Sequence, residues 1–178
     1  MDDAEKVHVV VGASGGAGSA LVRELVGRGR RVRAVNRSGR LAAPAGVEVV
    51  AGDATDPVRM GEVCRDAGVV YNAVNVAFTQ WRDRFPAAVD GVLAGARAAG
   101  ARMVFVDDTW MYGRVSAPMT EDLPYRPVSD KGVLRAWLAD RILAAHASGQ
   151  VRTVIGRAPE LYGPAVESVL GRNLFAAA

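Results

Sequence analysis

Three glycines near the amino terminus have the type and spacing of a phosphate-binding turn. Gly12, Gly15 and Gly18 directly follow the strand-like run 7–11 and open a segment with apolar residues at helical spacing. Glycines let the backbone approach a pyrophosphate closely, and a helix N-terminus offers unpaired N–H groups. A glycine-rich turn in an unrelated α/β domain is the alternative, but the position between strand and helix favours dinucleotide binding. The predicted contacts are Gly12, Ser14, Gly15, Gly16, Ala17 and Gly18.

The end of the second strand-like run indicates which dinucleotide is bound. An acidic residue there would accept hydrogen bonds from the adenosine ribose and favour NAD. This chain has Asn36, Arg37 and Ser38 instead. The planar guanidinium of Arg37 suits a phosphate, and Ser38 adds a hydroxyl donor. The alternative is a solvated arginine at a strand end. The pattern therefore predicts NADP as cofactor, with NAD the weaker candidate.

Strand-like and helix-like segments alternate along the whole chain. The strand-like runs are 7–11, 32–35, 47–51, 69–72, 103–106 and 151–155, and the helix-like segments are 16–28, 57–67, 85–99 and 130–147. This alternation predicts right-handed crossovers and a doubly wound parallel sheet in a single α/β domain, residues 1–178. Residues 115–128, rich in proline and polar residues, predict a loop.

Composition narrows the function classes. The chain has 178 residues, of which 50% are hydrophobic and 23% charged, typical of a folded domain. A single cysteine excludes an internal disulfide, and His8 and His146 lack partners at metal-ligand spacing, so we expect no metal site. The net charge of +3 is scattered, which argues against nucleic acid. With no apolar span or signal core, we expect no membrane contact and a cytoplasmic protein.

Five motifs, in this order, carry a resemblance to a known family. They are Gly12-x-x-Gly15-x-x-Gly18 and the segments 52–56, 71–75, 104–113 and 157–164. Together they resemble the extended and atypical branches of the short-chain dehydrogenase/reductase superfamily, which include the NAD(P)-dependent epimerases and dehydratases. The resemblance implies a Rossmann-like fold and a nicotinamide cofactor. It also implies further cofactor contacts at Asp53, Ala54, Asn72, Ala73 and Val74.

The resemblance also implies a catalytic Tyr-x-x-x-Lys pair on a helix and a Ser or Thr after the fifth strand. Here Lys131 stands at the Tyr position and Arg135 at the Lys position. A shifted alignment with Lys131 as the family Lys places Pro127 at the Tyr position. Asp108 takes the place of the Ser or Thr, with Thr109 beside it. The expected proton chemistry is therefore altered.

Two interpretations of this altered site remain open. In the first, Asp108 and Lys131 form an ion pair over the nicotinamide, Arg135 reaches the ribose, and a desolvated lysine acts as acid or base. In the second, the pair is an inert salt bridge. Tyr125 and Tyr112 are the next candidates for the acid. An aromatic-rich set either walls a substrate pocket or packs against loops; its members are Phe78, Trp81, Trp110 and Tyr112.

Extended members of the family continue past the segment 157–164, so we expect this chain to lack much of the substrate-binding lobe. Apolar residues left without cover predict self-association or a partner on that side. They are Leu161, Val166, Val169, Leu170, Leu174 and Phe175. The leading hypothesis is an NADP-binding oxidoreductase-like or epimerase/dehydratase-like protein acting on a small carbonyl or alcohol. The alternative is a nucleotide-binding regulatory or scaffold protein without catalysis.

Overall fold

A six-stranded parallel sheet organises the computed structural model, which describes residues 6–161 and residue 166. The strands are β1 (Val7–Val11), β2 (Val32–Asn36), β3 (Glu48–Ala51), β4 (Ala67–Asn72), β5 (Arg102–Asp107) and β6 (Thr153–Arg157). Their order across the sheet is β3-β2-β1-β4-β5-β6. This order reverses direction between β1 and β4, the point at which doubly wound folds bind ligands. The predicted α/β fold class is confirmed.

Four helices connect the strands, and local capping explains where they start. They are α1 (Gly16–Gly27), α2 (Pro57–Val63), α3 (Trp81–Ala98) and α4 (Asp130–Ala147), with 3₁₀ turns at Phe78–Gln80 and Trp110–Tyr112. Asp56 accepts hydrogen bonds from the first-turn N–H groups of α2, and Pro57 follows it at the first helical position. Ser129 caps α4 in the same way, through the N–H of Gly132.

Two predicted helix boundaries are wrong. The helix expected over 57–67 ends at Val63, because Asp66 adopts a left-handed conformation (φ 63°) and Ala67 already belongs to β4. The helix expected from Phe85 begins earlier, at Trp81, with Pro86 inside it. Trp81 and Phe85 are one turn apart and both buried, so packing of this helix face extends the helix ahead of the proline.

The core has two layers, one on each face of the sheet. Helices α2, α3 and α4 cover one face through a large apolar cluster, and α1 covers β1 and β2 on the other. Helix α3 approaches α2 closely at Gly95, where an added Cβ atom would lie 2.9 Å from the Cys64 sulfur. Burial raises the pKa of the Cys64 thiol to about 11.

Part of the predicted exposed surface lies outside the described residues, namely Val169, Leu170, Leu174 and Phe175. Of the remaining two, Leu161 is exposed and Val166 is half-buried. Self-association through this surface therefore stays a prediction. Within the described ranges, no helix is long and apolar enough to cross a membrane, and no cluster of potential metal ligands is present.

Candidate functional site

A cavity of about 790 Å³ opens at the carboxyl ends of the strands, across the point where the strand order reverses. One end lies over β2 and β3 and the other over β4 and β5. Most of the predicted cofactor residues line it: Gly12, Ser14, Gly15, Gly16, Ala17, Asn36, Arg37, Asp53, Ala54, Ala73 and Val74. Asp108 and Arg135 line the end over β5. Five predicted residues lie outside the lining: Gly18, Ser38, Asn72, Thr109 and Lys131.

The three glycines of the first turn have different physical roles. Gly12 has φ +87°, and an added Cβ would lie 2.6 Å from the carbonyl oxygen of Ala73; at Gly18 it would lie 2.2 Å from the carbonyl oxygen of Gly12. The fold itself therefore requires these two glycines. Gly15 has φ −78°, and the nearest atom to its added Cβ is 3.5 Å away. The missing side chain of Gly15 instead keeps the cavity open.

The start of α1 fits a phosphate group. Gly15 is its N-cap and provides no side-chain hydrogen bond, and the first turn contains no acidic residue. The first backbone N–H groups of the helix therefore have no side-chain partner at their cap, and the positive end of the helix dipole faces the cavity. A pyrophosphate would satisfy these donors.

The three predicted residues at the end of β2 differ in whether their side chains are free to bind a ligand. Asn36 builds the following turn: its Nδ2 donates to the Arg40 carbonyl at 2.9 Å, and its Oδ1 accepts from Gly39 N at 2.7 Å. The Ser38 hydroxyl donates within the same turn, so it is not aimed at the cavity. Arg37 is exposed and lines the cavity. Of the three side chains, Arg37 is the one available to a ligand phosphate.

Asp53 is held in place at the same end of the cavity. Its Oδ1 accepts from both the N–H and the hydroxyl of Thr55, each at 2.9 Å, and its Oδ2 pairs with Arg84 at 3.2 Å. The Thr55 N–H is the largest influence that keeps the pKa of Asp53 below its ordinary value. A carboxylate has about four acceptor positions, so one remains for a ligand donor. No local sequence pattern points to Arg84, which reaches Asp53 from α3.

Arg135 sits at the centre of a buried charge cluster at the other end. Its Nη1 donates to Asp107 Oδ1 at 3.1 Å, and its Nε lies 2.8 Å from Asp108 Oδ2. Its guanidinium carbon lies 4.4 Å from the ring centroids of both Trp81 and Phe85. The guanidinium is therefore fixed by two carboxylates and two aromatic rings. Sequence reasoning missed Asp107, although two consecutive aspartates at the end of a strand are a visible signal.

The predicted Asp108–Lys131 ion pair is wrong, because Asp108 pairs with Arg135 instead. Lys131 lies in the first turn of α4, one turn before Arg135, and its Nζ is 5.5 Å from the centroid of the Phe78 ring. The Lys131 ammonium therefore lies near the lining residue Phe78, whereas the Arg135 guanidinium reaches the two aspartates at the end of β5. Thr109 is half-buried, and its carbonyl accepts a hydrogen bond from Tyr112 N–H.

Three of the four predicted aromatic residues line the cavity, and the fourth is buried outside the lining. Phe78, Trp81 and Trp110 line the cavity, and their ring centroids are 5.0 to 5.8 Å apart. Tyr112 is buried and lies outside the lining; its hydroxyl and that of Tyr125 accept hydrogen bonds from Arg157. Neither tyrosine lines the cavity, and Arg157 binds both hydroxyls, which argues against either as the acid.

Asp107 and Asp108 differ in burial and in pKa. The Asp107 side chain is 0% exposed, and desolvation raises its pKa to about 6 against the attraction of Arg135. The Asp108 side chain is 17% exposed, and desolvation also raises its pKa, again opposed by Arg135. Asp108 is therefore the more accessible of the two carboxylates.

The raised pKa of Asp107 has a consequence for stability. Its folded pKa of about 6 exceeds the ordinary 3.8, so the folded state holds the proton more tightly. Its contribution to the free energy of unfolding is then largest below pH 3.8 and decreases as the pH rises through about 6. We expect the difference in unfolding free energy between wild type and Asp107→Asn to decrease from pH 4 to pH 7, measured by denaturant titration. A difference that grows with pH would contradict this assignment.

Comparison with known proteins agrees with this geometry. The sequence pattern of the NAD dependent epimerase/dehydratase family matches residues 8–177. The chain belongs to this family. A search of curated proteins finds no match.

Solved structures extend the comparison for this epimerase/dehydratase family member. It is 26% identical to a UDP-galactose 4-epimerase (TM-score 0.78, covering 94% of this chain and 63% of the other). It is also 26% identical to MoeE5 in complex with UDP-glucose and NAD (TM-score 0.75, 94% and 59%). A short-chain dehydrogenase/reductase superfamily protein from Agrobacterium tumefaciens with bound NAD is 31% identical (TM-score 0.70, 85% and 48%). The chain spans less than two thirds of each of these structures.

Proposed function

We propose that this epimerase/dehydratase family member binds NADP and transfers hydride to or from a small carbonyl or alcohol. The observation that carries the proposal is the glycine turn: two glycines are required by backbone packing, whereas Gly15 keeps the cavity open beside an uncapped helix start. The nicotinamide nucleotides in the related solved structures support a cofactor of this class.

The lining residues suggest how the cofactor would be held. The first turn of α1 would hold the pyrophosphate, with Asp53 and Arg37 at the adenosine end over β2 and β3. Asp108, Arg135 and the three aromatic side chains would surround the nicotinamide end over β4 and β5. When bound, a nicotinamide supplies or accepts the hydride.

Arg37 supports NADP over NAD, although the structures of MoeE5 and of the Agrobacterium protein hold NAD. We expect NADPH to bind more tightly than NADH, and Arg37→Ala to remove most of this preference. One charge-assisted hydrogen bond to the 2′-phosphate contributes about 1.5 kcal/mol, roughly tenfold in affinity. Calorimetric titration of both nucleotides measures it. Arg40→Ala is the matched control, because Arg40 is exposed and lies outside the lining. Equal affinities of the wild-type protein for NADPH and NADH would refute the preference.

A nucleotide-binding regulatory protein is the second candidate. Two observations favour it. Lys131 lies outside the lining, and neither sequence alignment places a tyrosine at the family tyrosine position. The guanidinium of Arg135 is held by two carboxylates. Incubation with NADPH and a panel of aldehydes and ketones, followed by nicotinamide absorbance, separates the two functions. Binding of NADPH without oxidation by any member of the panel would support the regulatory candidate.

A further inference from the structure

We propose that Asp108 is the proton acceptor of the site and that the substrate is a neutral alcohol carried on an apolar ring. This proposal rests on the proposed function and specifies which chain residue moves the proton and which substrate class fits. It replaces the Asp108–Lys131 pair expected from the sequence.

Among the ionisable side chains at the end of the cavity over β4 and β5, geometry favours Asp108 as the proton acceptor. Asp107 also borders the cavity, but its side chain is 0% exposed and lies between Arg135 and Arg157. The hydroxyls of Tyr112 and Tyr125 are bound by Arg157 outside the cavity. Asp108 lines the cavity and keeps part of its carboxylate exposed.

The Asp108 carboxylate is oriented and still has free acceptor capacity. Its Oδ1 accepts from the Trp110 N–H at 3.0 Å, and its Oδ2 lies 2.8 Å from Arg135 Nε. These contacts use about half of the acceptor positions of a carboxylate, so a substrate hydroxyl can donate to the rest. Desolvation raises the pKa of Asp108, which makes it a better base than an exposed aspartate.

Charge and shape at this end determine the substrate class. Two carboxylates, Asp107 and Asp108, are balanced by two guanidinium groups, Arg135 and Arg157. The cluster is neutral, and the partly exposed carboxylate of Asp108 disfavours a substrate anion beside it. The neighbouring wall is aromatic: Phe78 is 44% and Trp110 is 37% exposed, with nearly parallel rings. Such a surface stacks on a flat or ring-shaped apolar group.

In the inferred step the substrate O–H bond breaks and its proton passes to Asp108. A bound oxidised nicotinamide nucleotide would accept the hydride of the adjacent C–H bond, so that the alcohol would lose two electrons and become a carbonyl. Asp108 then releases the proton to solvent. The reverse direction reduces the carbonyl with protonated Asp108 as acid.

The test combines binding and turnover on the NADP-loaded protein, with benzyl alcohol, 1-phenylethanol and cyclohexanol as probes and benzoate as the anionic comparison. Binding is followed by tryptophan fluorescence. We expect the alcohols to bind more tightly than benzoate. We expect Asp108→Asn to lower the rate of alcohol oxidation by roughly a hundredfold or more. The same change should reduce the ratio of the benzoate Kd to the benzyl alcohol Kd about tenfold, because a negative charge is removed.

A second variant and a control distinguish loss of the Asp108 charge from loss of the fold. Asp108→Ser keeps an acceptor for the Trp110 N–H without the charge and should shift the same ratio. Asp122→Asn, in an exposed turn outside the lining, should change neither rate nor ratio. An unchanged ratio in both Asp108 variants would overturn the inference, as would failure of all three alcohols to bind while NADP binds. The inference would also be overturned if Lys131→Met abolished turnover while Asp108→Asn retained turnover. Failure of wild type to bind NADP would instead refute the proposed function.

Discussion

Replacing Arg135 by methionine is expected to lower the free energy of unfolding by about 3–5 kcal/mol, the range for removal of one partner from a buried ion pair. The side chain of Arg135 is 7% exposed and joins Asp107 to Asp108, so its loss leaves a buried carboxylate short of its main partner. Stacking on Trp81 and Phe85 is lost as well. Denaturant unfolding at neutral pH measures the change.

Two further variants separate charge from packing in this prediction. The double variant Arg135→Met with Asp107→Asn should recover part of the lost stability, because the buried carboxylate is removed with its partner. Arg141→Met is the matched control: its ion pair with Asp90 is solvent-exposed, so the expected cost is about 0–1 kcal/mol. Equal costs for Arg135→Met and Arg141→Met would show that the buried cluster does not stabilise the fold.

Gly15→Val is expected to weaken NADPH and NADH binding by about a hundredfold or more while the protein stays folded. The new side chain would fill the space beside the first turn of α1 and displace a phosphate from two charge-assisted hydrogen bonds, worth at least about 1.5 kcal/mol each. The nearest atom to an added Cβ is 3.5 Å away, so little clash arises within the chain itself. Calorimetry for both nucleotides, with a thermal melt, tests binding and fold together.

Gly18→Ala supplies the contrast in the same turn. Its Cβ would lie 2.2 Å from the Gly12 carbonyl oxygen, a backbone atom that cannot move aside cheaply. We therefore expect a marked loss of thermal stability from the smaller substitution. If Gly15→Val instead melts like Gly18→Ala, or binds both nucleotides like wild type, Gly15 has no separate role in binding.

Sequence reasoning succeeded where a local pattern determines the structure. The β-branched run of β1 is a strand over the predicted residues, and α4 spans the predicted residues 130–147. The failures arise where tertiary contacts decide. The start of α3 depends on burial of Trp81. The end of α2 depends on the pairing of Ala67 with Val7 of β1, which the left-handed backbone at Asp66 allows.

In the candidate site, too, local patterns were predictable from the sequence and long-range contacts were not. The glycine turn and Arg37 could be placed from motif spacing, since a strand and a helix fix the turn between them. The partner of Asp108 could not, because Lys131 and Arg135 are one turn apart on the same helix and the sequence does not say which reaches β5. The contact between Arg84 and Asp53 joins residues 31 positions apart and has no local signature.

Burial of the Cys64 thiol also determines how readily this chain is oxidised. The thiolate is the nucleophile that attacks peroxides and disulfides, and with a pKa of about 11 almost none of it exists at neutral pH. The sulfur also lies within the core between α2 and α3, so a reagent reaches it only when that packing opens. Because burial itself raises the pKa of the thiol, opening of this packing restores both access and an ordinary thiol, so oxidation at the single cysteine is controlled by opening.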